Sequence, residues 1–116
     1  MEPSVVDRGS YIEVEIGLPS LCGAGFIDVL VHATGRFGPK PFLVLCDDPR
    51  NEMNFDDAYR IGVDISRRLP RQGVAIVLRG RRTSDAEHFT ELVAANRGAR
   101  VRYFQDAALA LAWLIR

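Results

Sequence analysis

Two loops of this chain carry the side chains best suited to chemistry. The first is Asp47-Asp48-Pro49-Arg50-Asn51-Glu52, which follows the apolar run Phe42-Leu43-Val44-Leu45-Cys46. Adjacent carboxylates at the end of a strand can hold Mg²⁺ or accept a phosphoryl group, because ligands of open α/β sheets bind at the carboxyl edge. The rest of a phosphoryl-accepting set is missing: no aspartate closes the strand read at 74–78, and no lysine closes the one after it. A calcium loop fails as well, since its glycine and closing glutamate are absent. Asp47 and Asp48 read as solvated loop carboxylates or turn formers, and no metal site is expected.

The second loop is Arg79-Gly80-Arg81-Arg82-Thr83-Ser84, where a strand turns into a helix. Free backbone N–H groups at a helix start, with guanidiniums nearby, form a sound anion site. The candidate anion-binding residues are therefore Arg79, Arg81, Arg82, Thr83 and Ser84. Their glycine spacing matches neither a P-loop nor a dinucleotide fingerprint, so no nucleotide cofactor is expected. In the competing reading Ser84 only caps its helix, and the arginines meet solvent or Asp47 and Asp48 at the same sheet edge.

The other reactive residue types are isolated. His32 and His88 have no second ligand at metal spacing and no nucleophile beside them. Cys46 ends a buried strand and reads as a small core hydrophobe, whereas Cys22 lies in a glycine-rich connection, where its thiol is a reactive candidate only if exposed. Tyr103, Phe104 and Trp113 beside Arg100 and Arg102 resemble a basic-aromatic platform, but their spacing is more simply that of core packing. No complete catalytic set emerges, and no enzyme is expected.

The elements that must position these loops follow from length and periodicity. At 116 residues the chain is one domain, able to bury roughly two thirds of its unfolded surface. No apolar run approaches the ~18 residues of a membrane span, and the amino terminus lacks the marks of a signal peptide. Two cysteines fit a reducing cytoplasm better than a disulfide framework. Fifteen basic and fifteen acidic side chains leave no net charge and hence no global field to recruit nucleic acid. The zero is not uniform. Residues 1–59 sum to −6, residues 60–82 to +6, and the rest balance; fourteen of the fifteen bases are arginine.

Residues 3–6 and 11–16 read as a hairpin, the second strand alternating Ile12, Val14 and Ile16 with Tyr11, Glu13 and Glu15. The breaker-rich residues 17–25 lead to a helix at 26–34 that Gly35 stops. Apolar runs at 42–46 and 74–78 predict strands covered on both faces. A helix from Asn54 to Leu69 carries a capping-box-like Asn54/Asp57 pair. Phe55, Ala58, Tyr59, Gly62, Ile65 and Leu69 form its apolar stripe, and Asp56–Arg60 and Asp64–Arg68 its i,i+4 pairs. Ser84 and Glu87 form a capping box that opens a helix to Asn96, stopped by Gly98. A strand at 101–104 and an Asp106-capped helix at 107–115 complete the chain. Strands alternating with helices predict an α/β fold: a mixed, largely parallel sheet of four or five strands with about four helices.

The carboxyl-terminal third resembles a known family. Phe89-Thr90-Glu91-Leu92-Val93, Asn96-Arg97-Gly98, Val101-Arg102-Tyr103-Phe104-Gln105-Asp106 and Ala110-Leu111-Ala112-Trp113-Leu114 look like the ending of small bacterial SpoIIAA-like proteins, related to STAS and SEC14-like domains. The resemblance implies a non-catalytic fold used for protein–protein switching or apolar-ligand binding. In anti-sigma-factor antagonists of this kind a serine after an aspartate, at the start of the helix following the central strand, is phosphorylated. The corresponding stretch here, Asp47 to Asp57, holds no serine or threonine, so the phospho-switch does not transfer.

The leading expectation is a cytoplasmic regulatory or interaction module that presents Asp47, Asp48, Asn54, Asp56 and Asp57 to a protein partner. A small apolar-ligand or lipid-binding module, using the 17–25 connection, is the alternative. A third reading is an enzyme or anion site between Asp47/Asp48 and the Arg81/Arg82/Ser84 helix start. The hairpin's edge strands and the apolar last helix invite a homodimer.

Overall fold

The computed structural model describes residues 3–16, 25–46, 54–79 and 82–115. The alternation at the amino terminus gives β1 (Ser4–Asp7) and β2 (Ile12–Ile16), paired antiparallel with Val5 opposite Val14. Ile12, Val14 and Ile16 are buried, whereas Glu13 and Glu15 look the other way and keep access to water. After α1 (Gly25–Phe37) the apolar runs form β3 (Phe42–Cys46) and β4 (Val74–Leu78), both buried along their whole length. Between them lies α2 (Phe55–Arg68); after them come α3 (Asp85–Asn96), β5 (Val101–Phe104) and α4 (Ala107–Ile115).

The five strands stand in chain order, β1-β2-β3-β4-β5, with β2 to β5 parallel. Right-handed crossovers that always step in one direction put every connecting helix on one face. The buried contacts agree. Ile12, Val14, Phe42, Val44, Val74, Ile76, Val101 and Tyr103 share one core with Phe26, Leu30, Ile61, Ile65 and Ala94 of α1, α2 and α3. Among the described residues the opposite face is covered by α4, where Leu43, Leu45, Ala75 and Val77 pack under Ala110 and Leu114. The predicted α/β class, with a mostly parallel mixed sheet and four helices, is the one observed.

Two elements differ from expectation. α1 does not stop at Gly35 but runs to Phe37 and ends at Gly38, whose φ is 93° and whose N–H donates to the Thr34 carbonyl at 2.8 Å. One interior glycine costs only about 1 kcal/mol against alanine, less than Phe37 gains by packing against the core. In α2 the buried stripe is Ala58, Ile61, Gly62 and Ile65, continued by Leu69, and excludes Phe55 and Tyr59. Ile61 takes the place expected for those rings, because α2 is rolled so that they lie on its flank beside α3.

That flank sets how closely α2 and α3 approach. A Cβ at Gly62 would lie 2.8 Å from Val93 Cγ1 and 3.1 Å from the Thr90 carbonyl oxygen, so glycine is required by the contact. Thr90, fully buried, donates its hydroxyl to the Ala58 carbonyl of α2 at 3.1 Å. On its other flank α2 meets α1 through Arg68, whose Nη2 donates to Asp28 Oδ1 at 2.7 Å and whose Nη1 donates to Asp64 at 3.2 Å. The Asp64–Arg68 pair therefore forms as expected. No Asp56–Arg60 pair forms among the described residues.

Candidate functional site

Parallel strands followed by helices bring the starts of α2, α3 and α4 to the carboxyl edge of the sheet. Asn54 is the N-cap of α2, and its side-chain oxygen accepts the Asp57 N–H at 2.8 Å. The reciprocal half of a capping box is not seen, Asp57 being one methylene shorter than the glutamate such a box uses. Asp56 is exposed and Asp57 half-buried in the first turn, where negative charge suits the helix dipole. Of the expected partner-binding residues, Asn54, Asp56 and Asp57 thus stand together at one helix start. Asp47 and Asp48 lie outside the described residues.

The neighbouring helix start is built the same way. Ser84 caps α3 in a complete capping box: the Ser84 N–H donates to Glu87 Oε1 at 2.7 Å, and the Glu87 N–H donates to Ser84 Oγ at 3.3 Å. Both polar ends of this pair are consumed by the helix. The Arg79 N–H continues the sheet ladder by donating to the Cys46 carbonyl at 3.0 Å. Arg79 and Arg82 both have interaction partners, and Thr83 lines a separate groove with β5 and α4. Of the five candidate anion residues, Arg81 lies outside the described residues. So do Cys22 and most of the 17–25 connection.

What the sequence reading missed is apolar. Phe55 is 56% exposed and Tyr59 47% exposed, one turn apart on the α2 flank beside α3. The Phe55 ring meets the half-buried Phe89 ring of α3 edge-on, with centroids 5.5 Å apart. Leu92, three residues beyond Phe89, is 56% exposed. Arg97 reaches Tyr59 from the end of α3, its guanidinium 5.9 Å from the ring centroid and its Nη2 donating to the phenol oxygen at 3.2 Å. The α2 start thus carries Asp56 and Asp57 next to a band of exposed rings shared with α3. The sequence carries no signal for this, because Phe55 and Tyr59 share the helical spacing of Ala58, Gly62, Ile65 and Leu69.

The remaining candidates resolve plainly. Cys46 is fully buried at the end of β3, as expected of a core residue. His88 Nδ1 lies 3.3 Å from Glu91 Oε1, and the described residues contain no group of three metal-binding side chains. Tyr103 belongs to the main core, whereas Phe104 and Trp113 flank the second core, their rings 5.7 Å apart, with Arg100 stacked 4.5 Å from the Trp113 ring. Among the described residues no helix is long and apolar enough to cross a membrane. Comparison of the chain with protein-family models, with curated proteins and with solved structures found no match.

Proposed function

We propose that the chain is a non-catalytic regulatory or protein-interaction module of the STAS-like type, working in the cytoplasm and lacking the phosphorylatable serine. The reading rests on one observation: exposed Phe55 and Tyr59 adjoin the acidic first turn of α2. Aromatic side chains are enriched at protein interfaces and supply most of their binding energy. A folded protein that leaves such rings uncovered next to fixed charge has a surface suited to a partner. The SpoIIAA-like resemblance supports the same helix start as the place of contact. Without a serine or threonine between Asp47 and Asp57, the acids Asp56 and Asp57 supply permanent negative charge there. A partner would then read a constitutive state.

The test is photo-crosslinking in the cell of origin. A photoreactive amino acid in place of Arg60, exposed on the same helix, should trap a discrete protein adduct. The same probe in place of the exposed Arg36 on α1 should not. The adduct should vanish when Asp56 and Asp57 are both changed to lysine. An adduct that survives this change, or none at position 60, removes the surface from consideration.

A further inference from the structure

We propose that the groove between β5 and α4 is a binding site for a small planar aromatic carboxylate, separate from the α2 surface. The groove has a volume of about 720 Å³, within the roughly 300–1,000 Å³ typical of small-molecule sites. Its floor is apolar, made by Phe104, Leu109, Ala112 and Trp113. Leu109 is 63% exposed there, the largest solvent exposure among the core-type side chains of α4 that the structure records. Such a residue gains most when a flat apolar body covers it.

The rim supplies the charge. Arg102 lines the groove with its guanidinium 5.8 Å from the Phe104 ring centroid. It has no ion-pair partner among the described residues. A guanidinium both stacks on an aromatic face and presents a fork of N–H donors that matches a carboxylate. The one acid in the lining, Asp106, is already committed, its Oδ1 accepting the Ala108 N–H at 2.7 Å at the start of α4, where the helix dipole offsets its charge. The rings of Phe104 and Trp113 are tilted by 54°, and Arg100 closes over the indole at 4.5 Å. A planar ring laid across Leu109 and Ala112, against the edge of Phe104, would bring its carboxylate to Arg102, with Thr83 and Gln105 as further polar contacts at the rim.

Trp113 is the only tryptophan of the chain, so a single indole N–H resonance reports on the groove. Titration of the ¹⁵N-labelled full chain with 2-naphthoate should shift that resonance saturably, with Kd below about 1 mM. The uncharged 2-naphthamide, and 2-naphthoate with the Arg102→Ala variant, should each bind at least about tenfold more weakly. Arg102 is exposed, so that variant keeps the fold, and unchanged dispersion of its other amide signals verifies this. Decanoate tests the aromatic requirement and should also bind more weakly. No saturable shift up to about 5 mM, equal binding of the amide, an undiminished Arg102→Ala variant, or equally tight decanoate would each overturn the proposal.

Discussion

Glu91 occupies the flank of α3 nearest the last strand, and its Oε2 accepts the Tyr103 N–H at 2.7 Å while Oε1 faces His88. The carboxylate thereby occupies one outward donor of β5, an edge strand that would otherwise offer that N–H to another chain. Hydrogen bonds to charged groups contribute about 1.5–3 kcal/mol. Glu91→Ala should therefore lower unfolding stability by that amount in a denaturant titration, and Glu91→Gln by less. Asp7 acts similarly at the opposite end of the sheet. The Lys40 ammonium, at 2.9 and 3.1 Å from its two oxygens, and then the Gly9 N–H hold its carboxyl below the usual carboxylate range. A folded-state value below the unfolded one stabilises the protein above the unfolded pKa of about 3.9 and ceases to do so as pH falls through the lowered value. The melting-temperature difference between the wild type and Asp7→Asn should be constant above about pH 5 and shrink on further acidification. Neither contact was legible in the sequence, since Asp7 and Lys40 are 33 residues apart and only the sheet brings them together. The capping pair Ser84 and Glu87 was legible, because its partners lie within one turn.

Periodicity located most elements because each carries its own boundary chemistry. β3, β4, β5 and α4 begin and end where the apolar runs and caps place them, and α3 is bounded by Ser84 and Gly98 as expected. The roll of α2 was not legible: its flank is fixed by how near α3 can come, and that depends on Gly62 meeting Val93. Two glycine substitutions separate local propensity from packing. Gly62→Ala should destabilise by about 1–3 kcal/mol, because the added Cβ lies under 3.0 Å from Val93 Cγ1 and Cβ. Gly35→Ala, in a helix interior with nothing within 4 Å of the new Cβ, should stabilise by about 0.5–1 kcal/mol. Thermal unfolding of the pair checks both signs. Stabilisation by both substitutions would mean that helix propensity alone governs these sites.

Across the whole molecule, consecutive parallel strands and a single direction of crossover leave three helices on one face and one on the other. The parallel order gathers the starts of α2, α3 and α4 at one edge, and among the described residues α4, which has no charged side chain, covers the second face. The opposed charges of the acidic and basic segments partly pair on the surface of the fold. Arg68 from the basic segment is held charged by Asp28 from the acidic one, then by Asp64, its pKa raised accordingly. The acids at the α2 start could be read from sequence because a helix start favours them, whereas the exposed rings beside them could not. Apolar residues there were assigned to the core, and only the observed roll of α2 turns Phe55 and Tyr59 outward. In the proposed function these rings and acids together form the partner surface. Its most direct test is the affinity of the cross-linked partner for the wild type and for the Phe55→Ala/Tyr59→Ala variant. Both side chains are about half exposed, so the variant should stay folded with a lowered melting temperature, the Phe55–Phe89 and Tyr59–Arg97 contacts being lost. Loss of interface anchors should weaken binding at least about tenfold. Unchanged affinity in a folded variant would contradict the account.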